Sequence, residues 1–151
     1  MGDVERVYRD RGHRMWQAVF AFTGDREVAA DAIAEAFAQA LRAEATIRDI
    51  EAWVWRAAFR IAAGELKERR RSGTGLPANE WYEMEDPARE LVAALAHLPE
   101  KQRGSVILHD ALGYPSRDVA AMIGSTAAAV RVHLVRGRRR LRHLLEEDAD
   151  E

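Results

Sequence analysis

Residues 131–142, RVHLVRGRRRLR, contain six arginines and no carboxylate. A guanidinium group forms strong hydrogen bonds with phosphate oxygens and matches the paired acceptors on a guanine edge. The segment therefore predicts a surface for nucleic acid, with an ordinary solvated basic face as the alternative. The net charge of −2 does not oppose this prediction, because local potential rather than total charge governs contact with phosphates.

Charge is segregated along the rest of the chain as well. A second basic cluster comprises Lys67, Arg69, Arg70 and Arg71, an acidic stretch contains Glu80, Glu83, Glu85 and Asp86, and the end of the chain carries Glu146, Glu147, Asp148, Asp150 and Glu151. Taken alone, the cluster at 67–71 fits a solvated face as well as it fits a binding surface.

The residues around the arginines have the spacing of a helix-turn-helix over 116–142. Ala120 is small enough for two helices to cross closely, Gly124 suits a left-handed turn, and Val130 is placed to fill the angle between the helices. The second helix of such a motif lies in the DNA major groove. A hairpin of two helices with a solvated basic face is the alternative. We expect the second helix to bury Val130, Leu134, Leu141 and Leu145, with Gly137 permitting close approach of a neighbouring backbone.

Apolar residues at helical spacing predict an all-α fold of two small domains. Three helices fill residues 1–72, with Asp25 and Asp49 as N-caps of the second and third. Turn-forming and acidic residues then predict a flexible linker over 73–87. The second domain, 88–151, contains the helix-turn-helix and an acidic tail. Pro99 suits the first turn of a helix over 99–112.

Composition excludes several classes of protein. The chain has no cysteine, so a disulfide framework and a thiolate metal site are excluded. It has no run of about 20 apolar residues, and its first residues are too charged for a secretory signal, so we expect a cytoplasmic protein without membrane insertion. The five histidines are scattered, and no phosphate loop or zinc-protease motif is present. We expect neither an enzyme nor a bound cofactor or metal.

Two helical units, a flexible joint and a basic C-terminal helix-turn-helix together resemble the extracytoplasmic-function (ECF) type of bacterial RNA polymerase sigma factor. The C-terminal half follows the family's region four in residues 98–103 (LPEKQR), Gly113, Tyr114, Val119, Ala120, Gly124, Val130, Arg131, Arg136, Gly137 and Arg138. The N-terminal half is similar to region two in Thr23, Gly24, Asp25, Asp31, Glu35, Phe37, Trp53 and Arg56. The resemblance covers nearly the whole chain.

The resemblance implies that the C-terminal domain reads the upstream minus-thirty-five promoter element. It places groove contacts at Thr126, Ala127, Arg131 and Arg136. An arginine there can bind guanine O6 and N7, which gives about 1–3 kcal/mol of discrimination between bases. Val132 and Val135 suit thymine methyl groups, whereas Arg138, Arg139 and Arg140 suit phosphates.

The same resemblance implies two tasks for the N-terminal domain. Its second helix would dock on the coiled coil of the polymerase's largest subunit through Asp31, Ile33, Glu35 and Phe37, with a plain core role as the alternative for Ile33 and Phe37. Its third helix would face the minus-ten element, where aromatic side chains hold an unpaired base by stacking. We expect Trp53 to be structural and the pair Trp55 and Phe59 to stack on DNA. Arg60 and Lys67 complete the predicted DNA-binding set.

The expected partners are core RNA polymerase and promoter DNA, and the resemblance also allows an anti-sigma factor. The competing hypothesis is a free-standing helix-turn-helix regulator. Such a protein would bind a palindromic site without acting as a polymerase subunit, with half-sites about one helical turn apart. Binding to core polymerase separates the two hypotheses.

Overall fold

The structure, a computed structural model, describes residues 1–73 and 88–149. The chain divides into two compact units, Met1–Ala78 and Asn79–Glu151. Most of the predicted linker, with its four carboxylates Glu80, Glu83, Glu85 and Asp86, lies outside the described residues, as do Asp150 and Glu151. The described residues form helices joined by turns and short irregular segments, without a strand, which confirms the predicted all-α class.

The first unit is a bundle of three long helices. They are α1 (Asp3–Thr23), α2 (Arg26–Ala43) and α3 (Ile50–Ser72), with a 3-10 turn at Glu44–Thr46. Gly24 ends α1 with φ of 68°, a left-handed conformation that favours glycine. The predicted N-caps are confirmed: Asp25 accepts a hydrogen bond from Val28 N–H, and Asp49 accepts one from Ala52 N–H.

An ion pair joins the C-terminal part of α3 to the N-cap of α2. Arg69 near the end of α3 donates to Asp25 at 2.8 Å, while the other oxygen of Asp25 caps α2. Burial raises the pKa of Asp25, but the hydrogen bonds from Val28 N–H and from Arg69 outweigh it and leave the pKa below its ordinary value. Arg69, one member of the basic cluster at 67–71, is therefore held inside the unit by a distant carboxylate.

The second unit packs shorter helices against one long helix. They are α4 (Ala88–Ala96), α5 (Glu100–Ser105), α6 (Ser116–Ile123) and the long α7 (Ala127–Ala149). Pro99 is the N-cap of α5, which continues directly into a π-helical segment, Val106–Ala111. Its fully buried side chains include Leu108, Val119 and Val130.

The backbone of α7 comes very close to α5 at Gly137. A Cβ atom at this position would lie 3.1 Å from Val106 Cγ2, 3.3 Å from Gln102 Cβ and 3.4 Å from Gln102 O. These distances confirm the prediction that glycine stands here to allow close approach. Leu134, one turn earlier on the same stripe, is also buried.

Among the described residues, no single helix has the length and apolar character to cross a membrane. The helices α6 and α7, bent by 96° relative to each other, pass that test only as a pair and only by length and composition. Their apolar residues Val119, Val130 and Leu134 form part of the core of the second unit.

Candidate nucleic-acid interface

The predicted helix-turn-helix is present in α6 and α7. The two helices cross at 96°, which lies in the range of about 90–120° typical of this motif. Gly124 has φ of 70° and its N–H donates to Ala120 O, while Ser125 N–H donates to the same oxygen at 2.9 Å. Val130 is fully buried in the angle between the helices. The turn glycine and the apolar plug thus have the roles that their spacing predicts.

The outward face of α7 brings several predicted residues together. Arg131, Val132 and Val135 are exposed, and the two valines expose 47% and 55% of their surface. At 100° per residue these three lie within an arc of about 100°, with Arg136 exposed about 40° beyond it. Exposed valines between arginines are unusual on a solvated helix, and they match a surface that meets both base edges and methyl groups.

Thr126 and Ala127 stand at the start of α7. Thr126 is exposed, and its Oγ1 accepts a hydrogen bond from Ala129 N–H at 3.1 Å, so the side chain caps the helix. The hydroxyl proton is not used in that bond and is available to a phosphate oxygen. Ala127 is half-buried. The positive end of the helix macrodipole at this point also favours an anion.

A cationic environment surrounds His133 on the side of α7 that faces α5. Lys101 of α5 donates from Nζ to Gly124 O at 3.2 Å and so ties the turn of the motif to α5. Burial lowers the pKa of His133, and the positive charges of Lys101 and Arg136 lower it further. Within the described ranges, no three His, Asp or Glu side chains are grouped as metal ligands would be.

Arg138 has an intramolecular partner that the sequence does not reveal. Its guanidinium donates to both oxygens of Asp110 in the π-helical segment, with Nε to Oδ2 at 2.8 Å and Nη2 to Oδ1 at 2.6 Å. Arg138 holds the pKa of Asp110 below its ordinary value, although partial burial opposes this. The two residues are separated by 28 positions in the chain, and no local pattern connects them.

In the first unit, a basic stripe runs along the exposed side of α3. We use this name for Arg56, Arg60, Lys67 and Arg71, which are all exposed. They fall within an arc of about 60° on a helical wheel, and Trp53 lies at the edge of the same arc. Arg60 and Lys67 were predicted to bind DNA. Arg56 and Arg71 were not, although a helical wheel of the sequence would have shown all four together.

The prediction that Trp55 and Phe59 on α3 face outward to stack on DNA is wrong. Trp55 and Phe59 are core residues with 6% and 0% of their surface exposed, and Phe59 packs against Phe22 with ring centroids 5.4 Å apart. Both α1 and α2 pack on α3, so its buried arc is broader than one apolar stripe and includes both rings. Trp53 is only half-buried. It is the aromatic side chain that lies next to the basic stripe.

The predicted polymerase-docking residues on α2 separate into two groups. Asp31 and Glu35 are exposed, as a docking role requires. Ile33 and Phe37 are buried, with Phe37 in edge-to-face contact with Tyr8, which favours the core role given as the alternative for these two residues. Residues at these positions face α1 and α3 because they alternate with the carboxylates around the helix.

Apolar surface on α2 comes from residues that were not predicted. Leu41 exposes 52% of its surface, and Ala34 is also exposed. On a helical wheel they lie within about 120° of Asp31 and Glu35. We call these four residues the α2 face. The sequence gives no signal for the exposure of Leu41, because on a helical wheel it lies about 40° from the buried Phe37.

Comparison with known proteins matches both halves of the chain. Residues 88–141 match the family described as "Sigma-70, region 4". The "ECF RNA polymerase sigma factor SigM" of Mycobacterium tuberculosis is 28% identical over 93% of this chain and 76% of its own length. The match therefore extends through both compact units.

Solved structures show the same arrangement of helices. The sigma factor RpoE from Bartonella quintana, in complex with the anti-sigma factor NepR, has a TM-score of 0.75 at 19% identity, covering 97% of this chain and 98% of that one. The extracytoplasmic function sigma factor SigJ of Mycobacterium tuberculosis has a TM-score of 0.65 at 25% identity, covering 92% of this chain and 53% of that one.

Proposed function

We propose that the chain is an ECF sigma factor, a subunit that directs core RNA polymerase to specific promoters, and that its two helical units divide this task. Residues 1–72 would bind core polymerase and the minus-ten element. Residues 88–151 would bind the minus-thirty-five element, with 73–87 joining them as a linker. The observation that carries this division is that each unit presents its own exposed basic helix, α3 in the first and α7 in the second.

In the second unit, α7 would lie in the major groove of the minus-thirty-five element. Arg131 and Arg136 are exposed on its outward face and would bind guanine edges. Val132 and Val135 would contact thymine methyl groups. Thr126, at the N-cap, would donate its hydroxyl to a phosphate, and Arg139 would bind another. Val130 and Gly137 on the opposite side support this orientation, because both are packed inward and fix which face remains available.

In the first unit, α3 would hold the minus-ten element. Strand separation requires an unpaired base to be held, and stacking on an aromatic ring stabilises this by about 1–3 kcal/mol per base. Trp53 is suited to that role because it is partly exposed beside the basic stripe, whose cations would follow the phosphate backbone. Trp55 and Phe59 are not proposed for it, since their rings are enclosed in the core.

We propose that the α2 face docks on the coiled coil of the polymerase's largest subunit. Leu41 and Ala34 would bury apolar surface there, while Asp31 and Glu35 would set the register by pairing with cations. Glu35 already accepts hydrogen bonds from Gln39 at 3.0 Å and from Arg42 at 3.4 Å. These exposed local bonds are weak and can exchange for contacts with a partner.

Regulation by an anti-sigma factor is a further part of the proposal. One solved structure similar in fold, RpoE, is in complex with the anti-sigma factor NepR, and another, CnrH, is in complex with the cytosolic domain of CnrY. A protein of this type would cover surfaces that core polymerase and DNA otherwise use. Because its main partner would be core polymerase, we place the protein in the cytoplasm.

Transcription in vitro tests the proposal directly. Core polymerase is incubated with and without the protein on a library of promoter fragments, and the transcripts are sequenced. We expect transcripts with defined start sites only when both are present, and weak DNA binding by the protein alone. Tight binding to palindromic DNA without core polymerase, together with no new transcripts, would instead support a free-standing regulator.

A further inference from the structure

The pair formed by Arg138 and Asp110 differs from the local ion pairs between neighbouring residues of one helix. It is bidentate, with both distances below 2.9 Å, and it joins α7 to the π-helical segment. The ion pairs of Arg6 with Asp3 and of Arg71 with Glu68 are single contacts of 3.2 Å and 3.4 Å within one helix. A guanidinium bonded through two nitrogens to one carboxylate fixes the relative orientation of the two groups as well as their separation.

The position of Arg138 makes this fixed direction important. The preceding residue, Gly137, brings the backbone of α7 against Val106 and Gln102. Close packing at Gly137 sets the distance between α7 and its neighbours, but a residue without a side chain does little to set the rotation of the helix. The bond from Arg138 to Asp110 supplies that second restraint one residue later.

Rotation of α7 decides which side chains reach DNA. Arg131 stands seven residues before Arg138, so at 100° per residue the two lie only about 20° apart around the helix. Any rotation that breaks the bond between Arg138 and Asp110 also turns Arg131 and Val135 relative to the groove. The pair therefore restrains the direction in which the outward face, with Arg131 and Val135, is presented.

We propose that Arg138 and Asp110 form a clamp that sets the rotation of the recognition helix, so that Arg138 acts on promoter choice through Asp110 rather than by binding a phosphate. This inference rests on the proposed function of α7. Asp110 occupies the Nε–Nη2 edge of the guanidinium, so a two-pronged phosphate contact through that edge would require both charge-assisted hydrogen bonds to be given up and would leave the Asp110 carboxylate unpaired beside DNA. The paired carboxylate also neutralises the arginine, so the clamp adds no net charge to the DNA-binding face.

The test compares four variants in the reconstituted holoenzyme: Asp110→Asn, Arg138→Gln, the double variant, and Arg139→Gln as a control with the same loss of charge on the same helix. The probes are a duplex that carries the upstream element selected by the wild-type holoenzyme and a duplex with that element scrambled. Affinity for each duplex is measured by fluorescence anisotropy over a range of salt concentrations. Thermal unfolding by circular dichroism checks that each variant is folded.

For a clamp, both single variants and the double variant lower the ratio of cognate to scrambled affinity by about tenfold, and the effects are not additive, as for residues in direct contact. The slope of log affinity against log salt stays at the wild-type value in Arg138→Gln. In the control Arg139→Gln it becomes shallower by about 0.9, because one phosphate contact is lost.

A phosphate-binding role for Arg138 gives different results and would overturn the proposal. Arg138→Gln would then weaken both duplexes equally and flatten the salt slope, while Asp110→Asn would leave the ratio unchanged. If Arg138→Gln is unstable, Arg138→Lys distinguishes the two roles instead, because lysine can bind a phosphate but cannot form the bidentate bond to Asp110. A clamp predicts that Arg138→Lys also lowers the ratio of cognate to scrambled affinity. If the wild-type holoenzyme itself does not distinguish the two duplexes, the proposed function of α7 fails, whatever the variants do.

Discussion

Two glycines in the middle of long helices offer a controlled test of the packing. Gly137 in α7 and Gly64 in α3 are both helical, and alanine is favoured over glycine in a helix interior by about 0.5–1 kcal/mol. They differ in their surroundings. A Cβ at Gly64 meets nothing within 4 Å, whereas a Cβ at Gly137 lies 3.1–3.4 Å from Val106 and Gln102.

The two substitutions to alanine should therefore act in opposite directions. Gly64→Ala gains the helix preference alone and should stabilise the first unit by about 0.5–1 kcal/mol. Gly137→Ala gains the same preference but must displace α5, including a backbone oxygen, and overpacking of this kind costs about 1–3 kcal/mol. We expect a net destabilisation of the second unit by about 1 kcal/mol, so that the two variants differ by about 2 kcal/mol.

Hydrogen exchange with mass spectrometry on the full chain measures both effects separately. Peptides from α5 and α7 report on the second unit, and peptides from α1 and α3 report on the first. Gly137→Ala should lower the protection of the α5 and α7 peptides without changing those of the first unit. If it raises the protection of α7 by as much as Gly64→Ala raises that of α3, the close contact at Gly137 is not a constraint and the packing described for α7 is incorrect.

Three further predictions concern the first unit. Trp53→Ala should destabilise the first unit by less than Trp55→Ala, which removes an enclosed core ring at a cost of about 3–5 kcal/mol. Trp53→Ala should nevertheless be the variant that reduces transcription from duplex promoters, with recovery on a template already unpaired at the minus-ten element. Asp25 has a lowered pKa, so its contribution is present above about pH 4 and is lost as the pH falls through the folded-state value. Acid unfolding followed by tryptophan fluorescence should therefore show a smaller stability loss below pH 4 in Asp25→Asn than in the wild type. Leu41→Asp should weaken binding to core polymerase at least tenfold in a competition assay with no loss of stability, and equal binding would remove the α2 face from the proposal.

Features determined by neighbouring residues were predictable from the sequence. Capping by Asp25 and Asp49 follows from side chains that bond the backbone three residues away. Gly137 is recognisable by its place on the apolar stripe of α7, although the residues it packs against, Gln102 and Val106, are distant in the sequence. The left-handed turn at Gly124 follows from the spacing of small residues within one motif. These signals are local, and tertiary packing had little opportunity to override them.

Features determined by distant residues were not predictable. The periodicity of α3 indicates one apolar stripe, but its actual buried arc depends on two neighbouring helices, so Trp55 is buried and Trp53 is only half-buried. The partner of Arg138 is 28 residues away, and that of Arg69 is 44 residues away. An arginine in a basic run has the same sequence signature whether it binds a phosphate or a carboxylate of its own chain.

The central claim is that the outward face of α7 reads the upstream promoter element while a different helix, α3, holds the downstream one. Selection from a promoter library randomised at both elements, using holoenzyme with the wild-type protein or with Arg131→Gln, tests it most directly. We predict that the variant loses sequence preference at one or two adjacent upstream positions, at a cost of about 1–3 kcal/mol there, and keeps the downstream preference. An unchanged upstream preference, or a change confined to the downstream element, would contradict the claim.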